Sequence, residues 1–436
     1  MDGAPPNHDG NGTGRSPFVR HLARWTPRWL LLAFAITLTQ VTITALVGSG
    51  PSWGRRAVSY FTWDAAWYAG IVESGYSNIP PPNAGTQTNL AFFPAYPTAA
   101  ALVRKVLPVS IPEALFLVSR LSALLFWWLL LRFLKYWKAS STAAVLVIGV
   151  IFCQPAAFYL VVPYADCLFL ATLVGFLFLG PRAGTSSRML LSASAAAYVM
   201  TASRLAGALL AMLPLLWLLH ETCFRTVRPL EALRRHAAVI GRYAVLSISV
   251  VGGTATYLIY CWLRFGHWDQ YIRARSTGWG VAKTNFFAAF LVENLRIQLP
   301  DFGDGMISVE SSTRLYVALV MWALILLPLT DWWLSRRKVL TAFGGRAALY
   351  LAAWLLFFVH AAGSELARGH YTGFLRYGFY CVVPLVMACV HAYSHSVYAR
   401  RDIPSWALVL FFLACALGLA FQLQIAYLYT HGVLVS

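Results

Sequence analysis

The sequence predicts an all-α polytopic membrane protein of about eleven transmembrane helices, and three observations carry this prediction. Of the 436 residues, 59% are hydrophobic and only 11% are charged, whereas about 25% of the residues in a soluble domain are charged. Apolar stretches that approach the bilayer-crossing length of about 20 residues recur along almost the whole chain. Lys and Arg gather in short clusters between these stretches, which is the positive-inside pattern of membrane proteins.

Charge and cysteine content exclude two other classes of protein. The net charge of +18 would suit nucleic-acid binding, but its placement between apolar stretches favours membrane topology and contact with anionic lipids. The seven cysteines form no CxxC pair, so we interpret them as small core residues and expect neither a zinc site nor a disulfide framework. His391 and His395 lie four residues apart near a basic helix end, where an interfacial structural role is favoured over a metal site.

The N-terminal segment is polar and rich in Gly, Asn and Pro, so residues 1–28 are predicted to be a disordered cytoplasmic tail. Residues 29–436 are predicted to form a single transmembrane domain. Arg20, Arg24 and Arg28 precede the first apolar stretch, as in a signal peptide. That stretch is long and has no clear cleavage site, so it is interpreted as a retained first span with its N-terminus inside.

The eleven predicted spans follow one another with short connections, apart from two long loops. In chain order they are Trp29–Val47, Ile111–Leu134, Thr142–Val162, Ala165–Leu179, Met189–Ser203, Leu205–Leu219, Tyr243–Leu263, Leu315–Leu334, Ala347–Ala362, Tyr377–Val397 and Ser405–Ile425. When consecutive spans are assigned opposite directions across the membrane, more than half of the 34 Lys and Arg residues lie on the same side of the membrane as the N-terminus. Because this excess marks the cytoplasmic side, the sequence predicts an inner N-terminus and an outer C-terminus. Both long loops, residues 48–110 and 264–314, then face outward. Because long ordered loops are usually functional, the active site is predicted on the outer face of the plasma membrane.

The first long loop (residues 48–110) contains a predicted helix over residues 61–76 that lies on the membrane surface. Trp63, Trp67 and Ile71 share one helical face, and Trp favours the headgroup layer. Gly75 is the predicted C-terminal stop. Asp64 begins the helix and has two interpretations. It suits an N-cap, and it equally suits a general base, because a carboxylate near the bilayer is unfavourable unless it is paired or used.

A second element of the first long loop covers residues 88–97. Pro94 and Pro97 prevent an ordinary helix interior there, and the aromatic residues between them and before them suggest an interfacial element docked under the first. Plain membrane anchoring and the floor of a groove for a lipid chain both remain open as its role.

Several charged residues lie at predicted outer ends of spans. Arg204 and Arg376 each interrupt apolar surroundings, and each fits either a snorkelling interfacial arginine or a phosphate ligand. Asp166 follows a tight turn at Pro163, where helix capping is slightly favoured over acceptor binding or support of Asp64.

The second long loop (residues 264–314) carries more charges. Lys283, Arg273 and Arg275 are interpreted as solvated loop charges, with substrate binding as the less favoured alternative. Asp301 and Asp304 flank a glycine and favour a turn over a metal site. No glycine-rich nucleotide loop is visible, which disfavours a soluble nucleotide-sugar donor.

A set of short motifs occurs in a fixed order along the chain. They are Trp63-Asp64-Ala65-Ala66-Trp67-Tyr68, Gly75-Tyr76, Phe92-Phe93-Pro94-Ala95-Tyr96-Pro97, Ser203-Arg204-Leu205-Ala206-Gly207, Arg264-Phe265-Gly266, Trp279-Gly280 and Arg376-Tyr377 before Pro384. Over roughly Trp29 to Pro384, this order resembles bacterial relatives of the PIG-V-type GPI mannosyltransferases, which belong to the GT-C class. The chain departs from the pattern in having Trp67 where eukaryotic members often have His, and Asp166 where relatives commonly have Ser-Glu.

The resemblance implies an inverting glycosyltransferase that uses a polyprenyl-phosphate-linked sugar, with mannose as the implied sugar. It implies no cofactor beyond that lipid-linked co-substrate, and the sequence identifies no metal ligands. The acceptor would be a glycan, a lipid or a protein, and no nucleic-acid partner is expected. Asp64 is the candidate catalytic base. The candidate substrate-binding residues are Trp63, Trp67, Tyr68, Asp166, Arg204, Lys283, Arg376 and Tyr377.

Two functions from other classes stay open at this point. A lipid or polysaccharide transporter would predict internal repeats and charges at mid-bilayer, and neither is clear in the sequence. A non-catalytic membrane scaffold would predict that the substitution Asp64→Asn is silent.

Overall fold

The computed structural model of the chain describes residues 17–82, 84–224, 229–278, 295–303, 306–334, 339–363, 371–394 and 404–432. The described residues are predominantly helical. The α-helices are α1 Pro17–Val47, α2 Trp53–Val58, α3 Asp64–Ser74, α4 Ala95–Val106, α5 Ile111–Tyr136, α6 Ser141–Phe152, α7 Ala165–Leu179, α8 Ser187–Ser203, α9 Leu213–Phe224, α10 Pro229–Phe265, α11 Gln270–Gly278, α12 Val309–Leu334, α13 Val339–Gly363, α14 Tyr371–Ser394 and α15 Ser405–Thr430. Short 3₁₀ segments cover Asn89–Ala91, Ala157–Leu160, Gly180–Arg182 and Leu205–Met212.

Eight helical stretches in the described part of the chain are long and apolar enough to cross a membrane. They coincide with eight of the predicted spans and confirm an all-α polytopic membrane protein. The predicted third and ninth spans correspond to shorter apolar helices, Ser141–Phe152 and Arg346–Val359. The predicted fifth span is α8, with 17 residues. The total of eleven therefore stays a prediction.

The predicted third span, Thr142–Val162, is wrong as a continuous helix. Helix α6 ends at Phe152, and the chain then turns before the 3₁₀ segment Ala157–Leu160. Pro155 has no backbone N–H and disfavours helical geometry at the residue before it. The side-chain oxygen of Gln154 accepts a hydrogen bond from the Ala156 N–H at 2.8 Å and so stabilises the turn.

The predicted disordered tail is too long. Helix α1 begins at Pro17, so residues 17–28 are helical, while residues 1–16 lie outside the described part of the chain. In the sequence, Phe18, Leu22, Trp25 and Trp29 follow one another at helical spacing. The arginines between them concealed this pattern.

Helix α7 lies at the centre of the bundle. It packs against α5 and α8, and Phe169, Leu170 and Ala171, which lie on different sides of it, are fully buried. A helix that is apolar all round is expected to be buried in this way. Helix α15 lies at the periphery, since only 17% of its apolar window is buried. Any polar side chain on α7 must therefore find its partners inside the protein.

The first long loop folds into two docked elements, as predicted. Helix α3 ends where Gly75 adopts a φ of +77°, which confirms the predicted stop. The ring of Tyr68 on α3 lies edge-on to Phe92 and to Tyr96, with centroid distances of 5.2 and 4.9 Å. The side chain of Asn89 binds the Ser77 N–H and the Gly75 carbonyl, both at 2.9 Å, and thereby joins the two elements.

The second long loop contains α11 and a short hairpin. Strand β1 (Phe302–Gly303) pairs antiparallel with β2 (Met306–Ile307). Asp304, Lys283 and the Trp279-Gly280 motif lie outside the described residues. Helix α11 packs against the 3₁₀ segment Asn89–Ala91 of the first long loop.

Candidate active site

Four charged side chains from distant parts of the sequence meet at the bundle end that carries the long loops. Arg376 on α14 is central: its Nη1 lies 2.8 Å from Asp64 Oδ2, and its Nε and Nη2 donate to Asp166 Oδ1 and Oδ2 at 2.9 and 2.7 Å. Arg204, between α8 and the next 3₁₀ segment, donates to Asp166 Oδ2 at 2.8 Å. Two carboxylates and two guanidinium groups thus form one electrically neutral cluster.

Asp166 is the buried anchor of this cluster. Its side chain is 1% exposed, and Tyr380 also donates a hydrogen bond to its Oδ1. The fork-to-fork contact with Arg376 is the geometry in which charge-assisted hydrogen bonds are strongest. Its oxygens bind these three side chains, and the N-cap of α7 is Tyr164, so the helix-capping interpretation that the sequence slightly favoured is wrong.

Asp64 differs from Asp166 in its accessibility. Its side chain is 20% exposed, and within the described residues only Oδ2 has a partner, which leaves Oδ1 available to a bound molecule. Asp64 occupies the first helical position of α3, and the N-cap is Trp63, which makes no side-chain capping bond. The N-cap interpretation of Asp64 is therefore wrong, and its carboxylate is the more accessible of the two.

The backbone that carries Asp64 adopts an uncommon conformation. Trp63 has a φ of +52°, which is unfavourable by roughly 1–3 kcal/mol for a residue with a side chain and persists only where the surroundings impose it. The hydroxyl of Tyr164 accepts the Asp64 N–H at 3.3 Å and donates to the Thr62 carbonyl at 3.2 Å. Tyr429, on the last helix, hydrogen-bonds to Tyr164. These two buried hydroxyls fix the turn and so the direction of the Asp64 side chain.

Aromatic rings surround the two arginines. Arg376 lies 4.5 Å from the ring centroid of Tyr164 and 5.2 Å from that of Tyr159. Arg204 lies 5.7 Å from the rings of both Tyr377 and Tyr380. Cation–π contacts of this kind stabilise a desolvated guanidinium. Both arginines thus point into the protein, so the snorkelling interpretation does not apply to them.

The other predicted substrate-binding residues differ in their exposure and in their distance from the charged cluster. Trp63 is exposed by 41% and accessible to a ligand. Trp67 stacks on Phe92 at 5.9 Å. Tyr68 is buried, and burial is the main reason that the pKa of its hydroxyl lies well above the ordinary value. These two residues pack the first long loop, whereas Tyr377 reaches the charged cluster.

Several residues of the site were missed from the sequence. Tyr380 follows Arg376 by four residues, so helical spacing could have placed it on the same face. Tyr164 and Tyr429 gave no local signal, because they meet only through the tertiary fold. Arg275, interpreted as a solvated charge, is half-buried and interacts electrostatically with Asp64, Arg204 and Tyr377.

The described residues contain no group of three His, Cys, Asp or Glu side chains that could hold a metal ion. His391 packs against Trp137, with a centroid distance of 3.8 Å, in agreement with the favoured structural role. His395 lies outside the described part of the chain.

No protein-family model and no curated protein matches the sequence. Among solved structures, the apo oligosaccharyltransferase of Archaeoglobus fulgidus is similar over 95% of this chain and 57% of its own, with 16% identity and a TM-score of 0.48. AglB from the same organism, in complex with an inhibitory peptide and a dolichol-phosphate, covers 92% of this chain and 56% of its own, with 14% identity and a TM-score of 0.47. ArnT from Cupriavidus metallidurans, bound to undecaprenyl phosphate, covers 93% of this chain and 76% of its own, with 14% identity and a TM-score of 0.47.

The chain spans little more than half the length of the two archaeal structures.

Proposed function

We propose that this chain is a membrane glycosyltransferase that transfers a sugar from a polyprenyl-phosphate donor to an acceptor hydroxyl, with inversion at the anomeric carbon. One observation carries the proposal: an accessible carboxylate, Asp64, is held 2.8 Å from Arg376 beside a buried and fully paired Asp166. The two carboxylates share one arginine and have different environments. In such an arrangement one carboxylate, Asp64, is available for proton transfer, and the other, Asp166, holds the arginine that positions it.

The reaction follows from this division of roles. The acceptor hydroxyl gives its proton to Oδ1 of Asp64 as its oxygen attacks the anomeric carbon. The bond from that carbon to the donor phosphate breaks on the opposite side, and the phosphate oxygen keeps the electron pair. A positioned base contributes about 10²–10⁴-fold to such a step. Arg376 and Asp166 keep the carboxylate in position, and a single displacement inverts the configuration.

Mannose is the proposed sugar because the motifs around Asp64 and Arg204 resemble those of PIG-V-type mannosyltransferases. The acceptor is proposed to be a glycan, lipid or protein on the outer face of the plasma membrane, since the site lies among the predicted outer loops.

The experiment is sugar transfer in proteoliposomes. Purified protein receives radiolabelled polyprenyl-phosphate-mannose and a lipid extract of the source cells, and Asp64→Asn is compared with wild type. Glu73→Gln is the matched control, because Glu73 is an exposed carboxylate on the same helix. We expect label in a product with wild type and Glu73→Gln, and a loss of at least about 100-fold with Asp64→Asn.

The outcomes separate the competing functions. If Asp64→Asn transfers label as fast as wild type, the assignment of Asp64 as the base is wrong, although the proposal of a glycosyltransferase stands. If wild type moves the donor across the bilayer unchanged, with mannose and with other sugars, the chain is a transporter. If wild type binds donor but neither moves nor consumes it, the chain is a scaffold.

A further inference from the structure

A long groove runs through the part of the bundle that α6, α12, α14 and α15 form. Helix α12 packs against α14, α14 against α6, and α6 against α15, so α12 and α15 are the two ends of an arc. The groove has a volume of about 1080 Å³ and is partly open. Leu319 on α12 and Leu417 on α15 line it and are 51% and 66% exposed. The groove therefore opens towards the bilayer between these two helices.

The lining of the groove is apolar except at its two ends. Among the described residues that line it, none is charged. Gln154, Ser312 and Tyr316 lie at the end near the long loops, where Gln154 Nε2 donates a hydrogen bond to the Tyr316 hydroxyl. Tyr393 lies at the opposite end. A large apolar cavity with a few converging polar groups is the usual form of a binding site for a small molecule.

Ser312 has a buried hydroxyl that the fold leaves without a partner. The hydroxyls of its neighbours Ser311 and Thr313 donate to the carbonyls of Ser308 and Val309 at 3.3 and 2.7 Å, which is a common arrangement in helices. Ser312 is 7% exposed, and within the described part of the chain its Oγ forms no hydrogen bond. Because an unpaired buried hydroxyl is unfavourable, a bound molecule that offers an acceptor stabilises this position.

Tyr316 places a second hydroxyl one turn further along the same face of α12. Its oxygen accepts the hydrogen bond from Gln154, so its own proton can be donated to a bound molecule. The two hydroxyls lie about 5 and 10 Å along the helix from its start at Val309, and the lining continues for about 16 Å to Leu327. That length is close to half of the hydrocarbon core of about 30 Å, which is the depth of one leaflet.

We propose that the groove binds a glycerolipid of the surrounding bilayer, at a site separate from that of the sugar donor. An ester carbonyl of the lipid accepts hydrogen bonds from Ser312 and Tyr316, and the acyl chains lie along α12 and α14. Ester carbonyls are uncharged acceptors between the headgroup and the chains, which matches a neutral lining with two donors at one end. The lipid fills the space between α12 and α15 and so stabilises the peripheral α15.

A polyprenyl phosphate fits this groove poorly. Its chain carries no oxygen that could accept hydrogen bonds from the two hydroxyls. Its phosphate requires cations, and the described residues of the lining include none. The chemistry of the lining thus favours a glycerolipid over the donor as the occupant.

The test is lipid binding to the intact chain in detergent, measured by native mass spectrometry. Dioleoyl phosphatidylcholine is compared with its diether analogue, which has the same headgroup and chains but no carbonyls, and with undecaprenyl phosphate. The double variant Ser312→Ala/Tyr316→Phe removes both donors, with Thr313→Val as its control. Ala323→Trp fills the groove, and its control is Leu326→Trp, at a 50% exposed position of the same helix that does not line the groove. Melting temperatures show whether each protein is folded.

We expect wild type and both controls to bind one diester lipid about 2- to 10-fold more tightly than the diether analogue. The double variant should lose this preference, and Ala323→Trp should lose the bound lipid. Added diester lipid should raise the melting temperature of wild type but not of Ala323→Trp. Equal binding of diester and diether lipids by wild type overturns the proposal, as does unchanged lipid binding in folded Ala323→Trp. One-for-one displacement of the glycerolipid by undecaprenyl phosphate also overturns it, because the groove would then hold the donor.

Discussion

Removal of the charge of Asp166 tests whether the buried cluster is an anchor. The substitution Asp166→Asn keeps the size of the side chain but leaves Arg204 and Arg376 facing a neutral amide. Three guanidinium contacts of 2.7–2.9 Å and the Tyr380 hydrogen bond are weakened together. Breaking one partner of a buried ion pair destabilises a protein by about 3–5 kcal/mol, because an uncompensated charge stays buried.

The expected loss is at the upper end of that range, since two arginines share one carboxylate that is 1% exposed. The assay is thermal unfolding in one detergent, followed by circular dichroism, with Asp269→Asn as the control. Asp269 also pairs with an arginine at 2.9 Å, but the two side chains are 28% and 54% exposed, so the melting temperature of Asp269→Asn should not change. We expect Asp166→Asn to lower the melting temperature by several degrees.

A double-mutant cycle distinguishes a coupled cluster from a local packing defect. Removing Arg204 in the Asp166→Asn background should destabilise the protein less than removing it in wild type. In that background the Arg204 guanidinium is a buried charge without its partner carboxylate, and its removal eliminates that charge. Interacting pairs give coupling energies of about 0.5–3 kcal/mol. Additive effects, or a stability loss under about 1 kcal/mol for Asp166→Asn, would refute the view of Asp166 as the electrostatic anchor.

Two further predictions concern buried hydrogen bonds away from the charged cluster. Tyr429→Phe removes one of the hydroxyls beside the Thr62–Asp64 turn, so we expect the turnover number to fall several-fold with little change in the donor KM. The control Tyr427→Phe, an exposed ring on the same helix, should behave as wild type, and an unchanged turnover number for Tyr429→Phe would contradict the role. Gln40→Leu breaks bonds of 3.0 Å to Trp127 Nε1 and the Ala157 carbonyl and should destabilise the fold by about 1–3 kcal/mol. Thr39→Val, at an exposed neighbouring position, is its control, and equal melting temperatures would count against the prediction.

Helix positions could be predicted well because the bilayer imposes one length and one polarity on every span. Eight predicted spans coincide with long apolar helices, and the α3 helix with its stop at Gly75 has the expected form. The errors arose where local chemistry overrode hydropathy. Pro155 ended α6 early, and the arginines before Trp29 obscured about the first three turns of α1.

The sequence also identified four separate candidate site residues, Asp64, Asp166, Arg204 and Arg376. A charged side chain near a bilayer is rare and is usually paired or functional. What each does was decided by the tertiary structure. Asp166 and Arg376 are separated by 210 positions, and no local pattern shows that they are partners. The same holds for Tyr164 and Tyr429, which lie 265 positions apart.

The sequence by itself determined the class of protein, the course of most helices and the loop that carries the candidate base, Asp64, because composition and periodicity are local properties that a membrane constrains strongly. Only the tertiary structure decided which carboxylate is buried and paired and which is open. Arg273 and Arg275 look alike in the sequence, and they differ because one face of α11 packs against the first long loop. Burial and pairing depend on which distant surfaces meet, and that is fixed when the helices pack.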